Sequence, residues 1–173
     1  FTITGTVDAD TCYTSIENVA EANYGCGSTD ICLGDPVSDS AELRTVPELA
    51  IVTTEGDLSR CGGLITVTVD HDGPPAYDVV LTDTLPTGFV YHTTTFSSTA
   101  PTDEPTSGDG EPVWTWDGPI DESITLGFRV RNDASSGDCA AFEDTVPNTV
   151  TVEYDDTCSG TGPYTATSSV NLD

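Results

Sequence analysis

Residues 64–69 read L-I-T-V-T-V and residues 148–154 read N-T-V-T-V-E-Y, and these two stretches decide the fold. In the first, Ile65, Val67 and Val69 point one way and Thr66 and Thr68 the other, the period-two alternation of a half-buried strand. In the second, Val150, Val152 and Tyr154 share one face, and Thr149, Thr151 and Glu153 share the opposite one. Further β-rich runs lie on either side: P-E-L-A-I-V-T-T from Pro47, Y-D-V-V-L-T-D from Tyr77, V-W-T-W from Val113 and I-T-L-G-F-R-V from Ile124. Clusters of Gly, Pro, Asp and Ser separate them, and no window carries an apolar stripe of helical period. Short strands with regular turn signals predict an all-β sandwich with Greek-key connections.

An internal repeat divides the chain. The opening F-T-I-T-G-T-V-D-A-D-T-C matches F-R-V-R-N-D-A-S-S-G-D-C without a gap, placing Phe1 on Phe128 and Cys12 on Cys139. After small insertions Asn18 falls on Asn148, Tyr24 on Tyr154 and Cys26 on Cys158, then Ser40 on Ser169 and Leu43 on Leu172. Residues 1–43 therefore read as the C-terminal half of one module, and residues 44–173 as a complete one. Half a sandwich cannot bury its own apolar faces and leaves strand edges unpaired. Its missing strands are expected from another subunit, by strand addition, or from an upstream part of a longer polypeptide. The competing expectation is that residues 1–43 wrap around the complete module as extra strands.

The charge narrows the partners. The 173 residues carry 4 Lys+Arg against 30 Asp+Glu, a formal −26, and all four bases are arginines, at 44, 60, 129 and 131. Such a surface repels phosphate backbones and anionic headgroups, so neither nucleic acid nor an anionic membrane surface is expected as a partner. Without lysine there is no Schiff-base chemistry, no Walker-type phosphate site and no lysine isopeptide cross-link. Almost every carboxylate lacks a cationic partner in the chain, so cations in solution must serve as counter-ions. The first expectation is the solvated acidic surface of a halophilic protein in molar salt, where the Debye length is about 3 Å. The second is a discrete calcium site, the one cofactor the sequence suggests, built from turn carboxylates such as Asp8, Asp10, Asp70, Asp72, Asp155 and Asp156. No full calcium-loop motif occurs.

Six cysteines without a CxxC favour disulfides and an oxidising compartment. Fifteen pairings are possible in principle. If the repeat holds, Cys12/Cys26 and Cys139/Cys158 are equivalent bridges, which leaves Cys32 with Cys61 across the module boundary; each bridge would contribute about 2–4 kcal/mol. Phe1 is not an initiator methionine, and no apolar run approaches the roughly 18–20 residues of a membrane span. The chain thus reads as the mature or excised part of an exported, extracellular, cell-surface protein.

From Pro47 to Leu172 the chain resembles the bacterial and archaeal surface repeats of the domain-of-unknown-function-eleven type. The residues that carry the likeness are the Pro-acid-Leu opening at Pro47, the signature Asp83-x-Leu85-Pro86-x-Gly88, and the last strand with Asn148, Val150 and Val152. The resemblance implies an immunoglobulin-like β-sandwich, found in tandem on large surface proteins and fibres, with no assigned catalytic residues. The missing lysine, the six cysteines and a long acidic hairpin region from Pro101 to Pro112 depart from that pattern.

Other chemistry reads weakly. His71 and His92 have no metal spacing, no Gly-x-Ser-x-Gly elbow occurs, and among thirty carboxylates some pair always suits a glycosidase. L-P-T-G-F at 85–89 is similar to a sortase signal but lacks the intervening residue, and a turn is the better account. Trp114 and Trp116 share a strand face that suits a core or a subunit interface better than a carbohydrate platform. The Thr/Ser run from Thr93 to Thr99 reads as a strand edge before an O-glycan site. No enzyme is expected. The expected function is a structural subunit of a surface filament or sheath, polymerising with copies of itself. Strand complementation and disulfides would make the joint, to which Phe1, Ile3, Val7, Val19 and Tyr24 would contribute. The alternative is a calcium-dependent adhesive module of a large surface protein.

Overall fold

The protein was described from a computed structural model, which defines residues 16–22, 37–43, 46–59, 61–133, 146–156 and 162–172. The chain divides between Val46 and Pro47 into two compact units. In the first, β1 (Ile16–Ala22) and β2 (Val37–Leu43) pair antiparallel as a two-stranded sheet.

The second unit holds β3 (Glu48–Ser59), β4 (Gly62–Asp72), β5 (Tyr77–Thr84), β6 (Phe89–Ser97), β7 (Val113–Trp116), β8 (Ile124–Asn132), β9 (Val146–Asp155) and β10 (Tyr164–Leu172). They form two antiparallel sheets, one in the order β3-β4-β8-β6 and the other β10-β9-β5-β7. Only β3–β4 and β9–β10 are neighbours both in sequence and in space. Every other connection crosses between the sheets, which is the Greek-key sandwich the alternation predicts and the immunoglobulin-like arrangement the resemblance implies.

The core is made by the inward residues of both sheets. Ile65, Val67 and Val69 of β4 are buried against Val79 and Leu81 of β5 and Val150 and Val152 of β9 in one cluster. Burying each such side chain is worth about 1.5–3 kcal/mol. The aromatics lock the sheets together: Trp114 of β7 lies 4.7 Å from Phe128 of β8 and meets Tyr91 of β6 edge-on at 5.7 Å. Both indole N–H groups reach acceptors, Trp114 to Thr94 Oγ1 and Trp116 to the Thr99 carbonyl. Both tryptophans are core residues, and neither ring is a surface platform.

Register shifts occur once inside a sheet, between Tyr77 and Val80 of β5 against β9, and otherwise at the edges. β3 and β6, the outer strands of their sheet, carry register shifts at Ile51/Thr53, Tyr91/Thr93 and Thr94/Phe96, and bulges of this kind twist an edge away from further pairing. The Thr/Ser run lies on β6. Its hydroxyls are partly engaged, Thr95 with the Gly127 carbonyl and Thr94 with Tyr91 and Trp114. A Cβ on Gly127 would overlap the ring of Phe96, so a larger residue there requires that exposed ring to move.

The acidic region 101–112 is a crossing segment as well as a loop. Gly108 and Asp109 exchange backbone hydrogen bonds with Tyr91 of β6, while Gly110 and Pro112 accept from Leu85 and Asp83 at the end of β5. It therefore closes the open side between the two sheets. A turn held by Thr106 N–H to Asp109 Oδ2 (2.8 Å) sits at its tip.

Candidate functional site

The two signature elements of the sequence meet at one buried pair. Asp83 sits in the inward register of β5 with Val79 and Leu81, and Asn148 in the inward register of β9 with Val150 and Val152. Both are fully buried. Asn148 Nδ2 donates to Asp83 Oδ2 at 3.2 Å, while Oδ1 of each residue has no hydrogen-bond partner. Burial raises the Asp83 carboxyl to about 7, against the smaller opposing effect of the Asn148 bond. The rest of the signature makes the turn. Phe89 N–H closes onto the Pro86 carbonyl at 3.0 Å, and Gly88 takes φ 91°, the left-handed position of a type II turn. L-P-T-G-F is therefore a strand connection.

A perturbed carboxylate often marks a catalytic site. Asp83 has no exposed surface, so a substrate cannot reach it. The pair is best described as an internal clamp between β5 and β9. Neither residue was among the site residues expected from the sequence. The available signal was a polar residue in an inward strand position, two residues from buried valine or leucine.

Several of the carboxylates expected as calcium ligands have partners within the protein. Asp70 accepts from Ser123 Oγ, which in turn accepts from the His71 N–H. Asp156 accepts from the Tyr164 hydroxyl at 2.8 Å, and Asp155 Oδ1 lies where a Cβ on Gly162 would fall. Asp72 also has a partner of its own. Among the described residues no group of three or more His, Cys, Asp or Glu is placed to hold a metal ion; Asp8 and Asp10 lie outside them. His71 Nε2 meets the Pro74 carbonyl at 2.9 Å, a local turn contact, and His92 is exposed.

Cys61 lies in the two-residue β3–β4 turn. Cys12, Cys26, Cys32, Cys139 and Cys158 lie outside the described residues, and with them the pairings expected from the repeat. Phe1, Ile3, Val7 and Tyr24 lie outside as well, which leaves Val19, 53% exposed, as the one described member of the expected joint.

The first unit's hairpin repeats the last hairpin of the second. In β1–β2, Ile16 stands opposite Leu43, Asn18 opposite Ala41 and Val19 opposite Ser40. In β9–β10, Val146 stands opposite Leu172, Asn148 opposite Val170 and Thr149 opposite Ser169. The repeat places Asn18 on Asn148, Ser40 on Ser169 and Leu43 on Leu172, so the two hairpins share one register from end to end. Their environments differ. Asn18, Ala20 and Ala41 are exposed, whereas Asn148 and Val150 are sealed in the core and Val170 is half-buried. Val19 takes the place of Thr149, whose hydroxyl meets Ser169 on the outer face of its sheet. Asn18, Ala20, Asp39 and Ala41 share the face of β1–β2 that corresponds to the inward face of β9–β10.

No protein-family model matches the chain. No curated protein matches it either. Among solved structures it is similar to the full-length major pilin SpaD from Corynebacterium diphtheriae, at 13% identity and TM-score 0.43, over 76% of this chain and 35% of that one. It is also similar to BcpA*(D312A), the major pilin subunit of Bacillus cereus, at 8% identity and TM-score 0.49, over 88% of this chain and 47% of that one. The chain therefore spans less than half the length of either, and likeness at this level assigns neither a function nor a partner. Among the described residues no helix is long and apolar enough to cross a membrane.

Proposed function

We propose that the chain is a non-enzymatic structural part of an extracellular surface filament or sheath, joined module to module by β-strand complementation and reinforced by disulfides. The observation that supports this most is the common register of β1–β2 and β9–β10. In the complete module that hairpin has one strand, β9, inserted between β10 and β5. A copy of it with its inward face in water is a joint waiting for its other half, because unpaired backbone groups and uncovered strand faces are what strand addition satisfies. The bulged edges of β3 and β6 disfavour strand addition at those two edges. The acidic surface suits a medium of high salt, where self-repulsion is screened.

Removal of residues 1–46 tests the reading. The remaining module should fold cooperatively and sediment as a monomer under conditions where the natural material sediments as large assemblies. Misfolding of the shortened chain would instead favour residues 1–43 as an integral wrap of the second unit.

A further inference from the structure

We propose that the outer face of the β3-β4-β8-β6 sheet, at Arg129 and Arg131, docks the adjacent carboxylates Asp103 and Glu104 of a second copy of this chain. The contact is separate from the β1–β2 joint and holds assembled chains side by side. Along β8, Phe128 and Val130 are buried while Arg129 and Arg131 are exposed, so both guanidiniums project from the outer surface of the sheet. Two positions apart on one strand, their Cα atoms lie about 7 Å from each other.

These are two of only four basic residues in a chain with 30 acids, yet the sheet gives neither a carboxylate. Opposite them stand Leu64 and Gly62 on β4 and Thr93 and Val90 on β6. Neither guanidinium has a hydrogen-bond or ion-pair partner among the described residues. An arginine kept to stabilise its own sheet would be served by an acid on the neighbouring strand, because opposite charges attract across a ladder. The half-exposed ring of Phe96 lies over Gly127 and extends the same face. Exposed arginine beside an exposed aromatic ring suits a contact surface, since both residue types are enriched where proteins meet.

Charge complementarity names the occupant. A guanidinium fork binds a carboxylate through two parallel N–H donors, and the chain itself presents carboxylates in excess. Asp103 and Glu104 are exposed, and neither carboxylate has a partner among the described residues. Asp103 bridges to Thr115 of β7, the edge of the other sheet, so the acidic pair and the arginine pair occupy different surfaces of one unit. Contact between unlike surfaces leaves each copy with a free surface of each kind, so association extends beyond a dimer. Two such pairs hold weakly, at roughly millimolar affinity, and gain strength when repeated along an assembly. In molar salt, with a Debye length of about 3 Å, repulsion between whole chains is screened while groups in direct contact still attract.

Sedimentation equilibrium of residues 1–173 in molar potassium chloride, carried up to roughly millimolar protein, tests this. The mean mass should climb past that of a dimer as concentration rises. Arg129→Glu/Arg131→Glu should remain monomeric, and so should Asp103→Arg/Glu104→Arg. All four side chains are exposed, so both variants should keep the wild-type unfolding midpoint. An equimolar mixture of the two should associate again, because each then carries the sign that complements the other at both surfaces. A wild-type chain monomeric throughout, association unchanged in either variant, or a mixture that stays monomeric would overturn the proposal. Arginine-dependent binding of alginate without self-association would overturn it too, by giving the face to an acidic polysaccharide. Each of these results would leave the β1–β2 joint standing, because that joint is tested by removal of residues 1–46.

Discussion

Asn148 of β9 donates its side-chain amide to Asp83 of β5 at 3.2 Å in a site with no solvent exposure. Asp83 is the one buried carboxyl among the described residues, and the bond ties together two residues 65 positions apart in sequence. A carboxyl sealed among valines and leucines is easier to keep neutral than ionised. A single proton on Asp83 would also turn one of the two unpartnered Oδ1 atoms into a donor.

Stability should fall as pH rises from about 4 to about 7. The unfolded chain releases the Asp83 proton near the model-peptide value, about 3.9, whereas the folded protein retains it to about 7. Between these values the folded state binds more protons, so the contribution is fully present below the lower pKa and lost through the upper one. The full change is on the order of 4 kcal/mol. Asp83→Asn should abolish most of this slope and exceed the wild type in stability at pH 8. Denaturant titrations across the pH range check it, and an unchanged slope in the variant would contradict the assignment.

Asn148→Ala should destabilise the module by about 2–4 kcal/mol, since it leaves a buried carboxyl without its donor. Replacing both residues with leucine should cost less than the single change, because no polar group is then left unsatisfied. A double-mutant cycle in urea measures the coupling; additive effects would mean that the two side chains act independently.

Phe96 is 46% exposed, yet its ring covers Gly127 of the neighbouring strand. Gly127→Ala should push the ring into water at a cost of about 1–2 kcal/mol, by the crowding that over-packing produces. In a Phe96→Ala background the same change should be close to neutral. Thermal unfolding of the three variants decides it.

Dialysis into low salt should lower the unfolding midpoint, because 26 uncompensated negative charges then repel over longer distances. Sodium or potassium chloride should restore stability without any divalent ion. Restoration by micromolar calcium in low salt would instead establish a bound metal as the stabilising agent.

Much of this was legible in the sequence, and the reasons are specific. Alternation in 64–69 and 148–154 places Ile65, Val67, Val69, Val150 and Val152 correctly in the core, because a half-buried strand has a period of two and nothing else here competes with it. The equivalence of Asn18 with Asn148 could be read from order alone; that both hairpins share a register could not, since register is a property of pairs. The clamp was half-visible. Asp83 and Asn148 are polar residues in inward positions, but nothing local says that they meet. The path of residues 101–112 was hidden for a related reason: its partners Tyr91, Asp83 and Leu85 are reached through backbone groups, which leave no mark on side-chain pattern. The two readings of the turn carboxylates are not separable by sequence, because acidic residues that close turns and acidic residues that bind calcium look alike in a chain with 30 of them.

Electron cryomicroscopy of the native surface material, kept in high salt, tests the central claim most directly. The account predicts a filament or sheath of serial β-sandwiches in which β1–β2 completes the neighbouring module in the register that β9–β10 adopts within its own. Monodisperse particles with the β1–β2 hairpin packed back on its own second unit would contradict it.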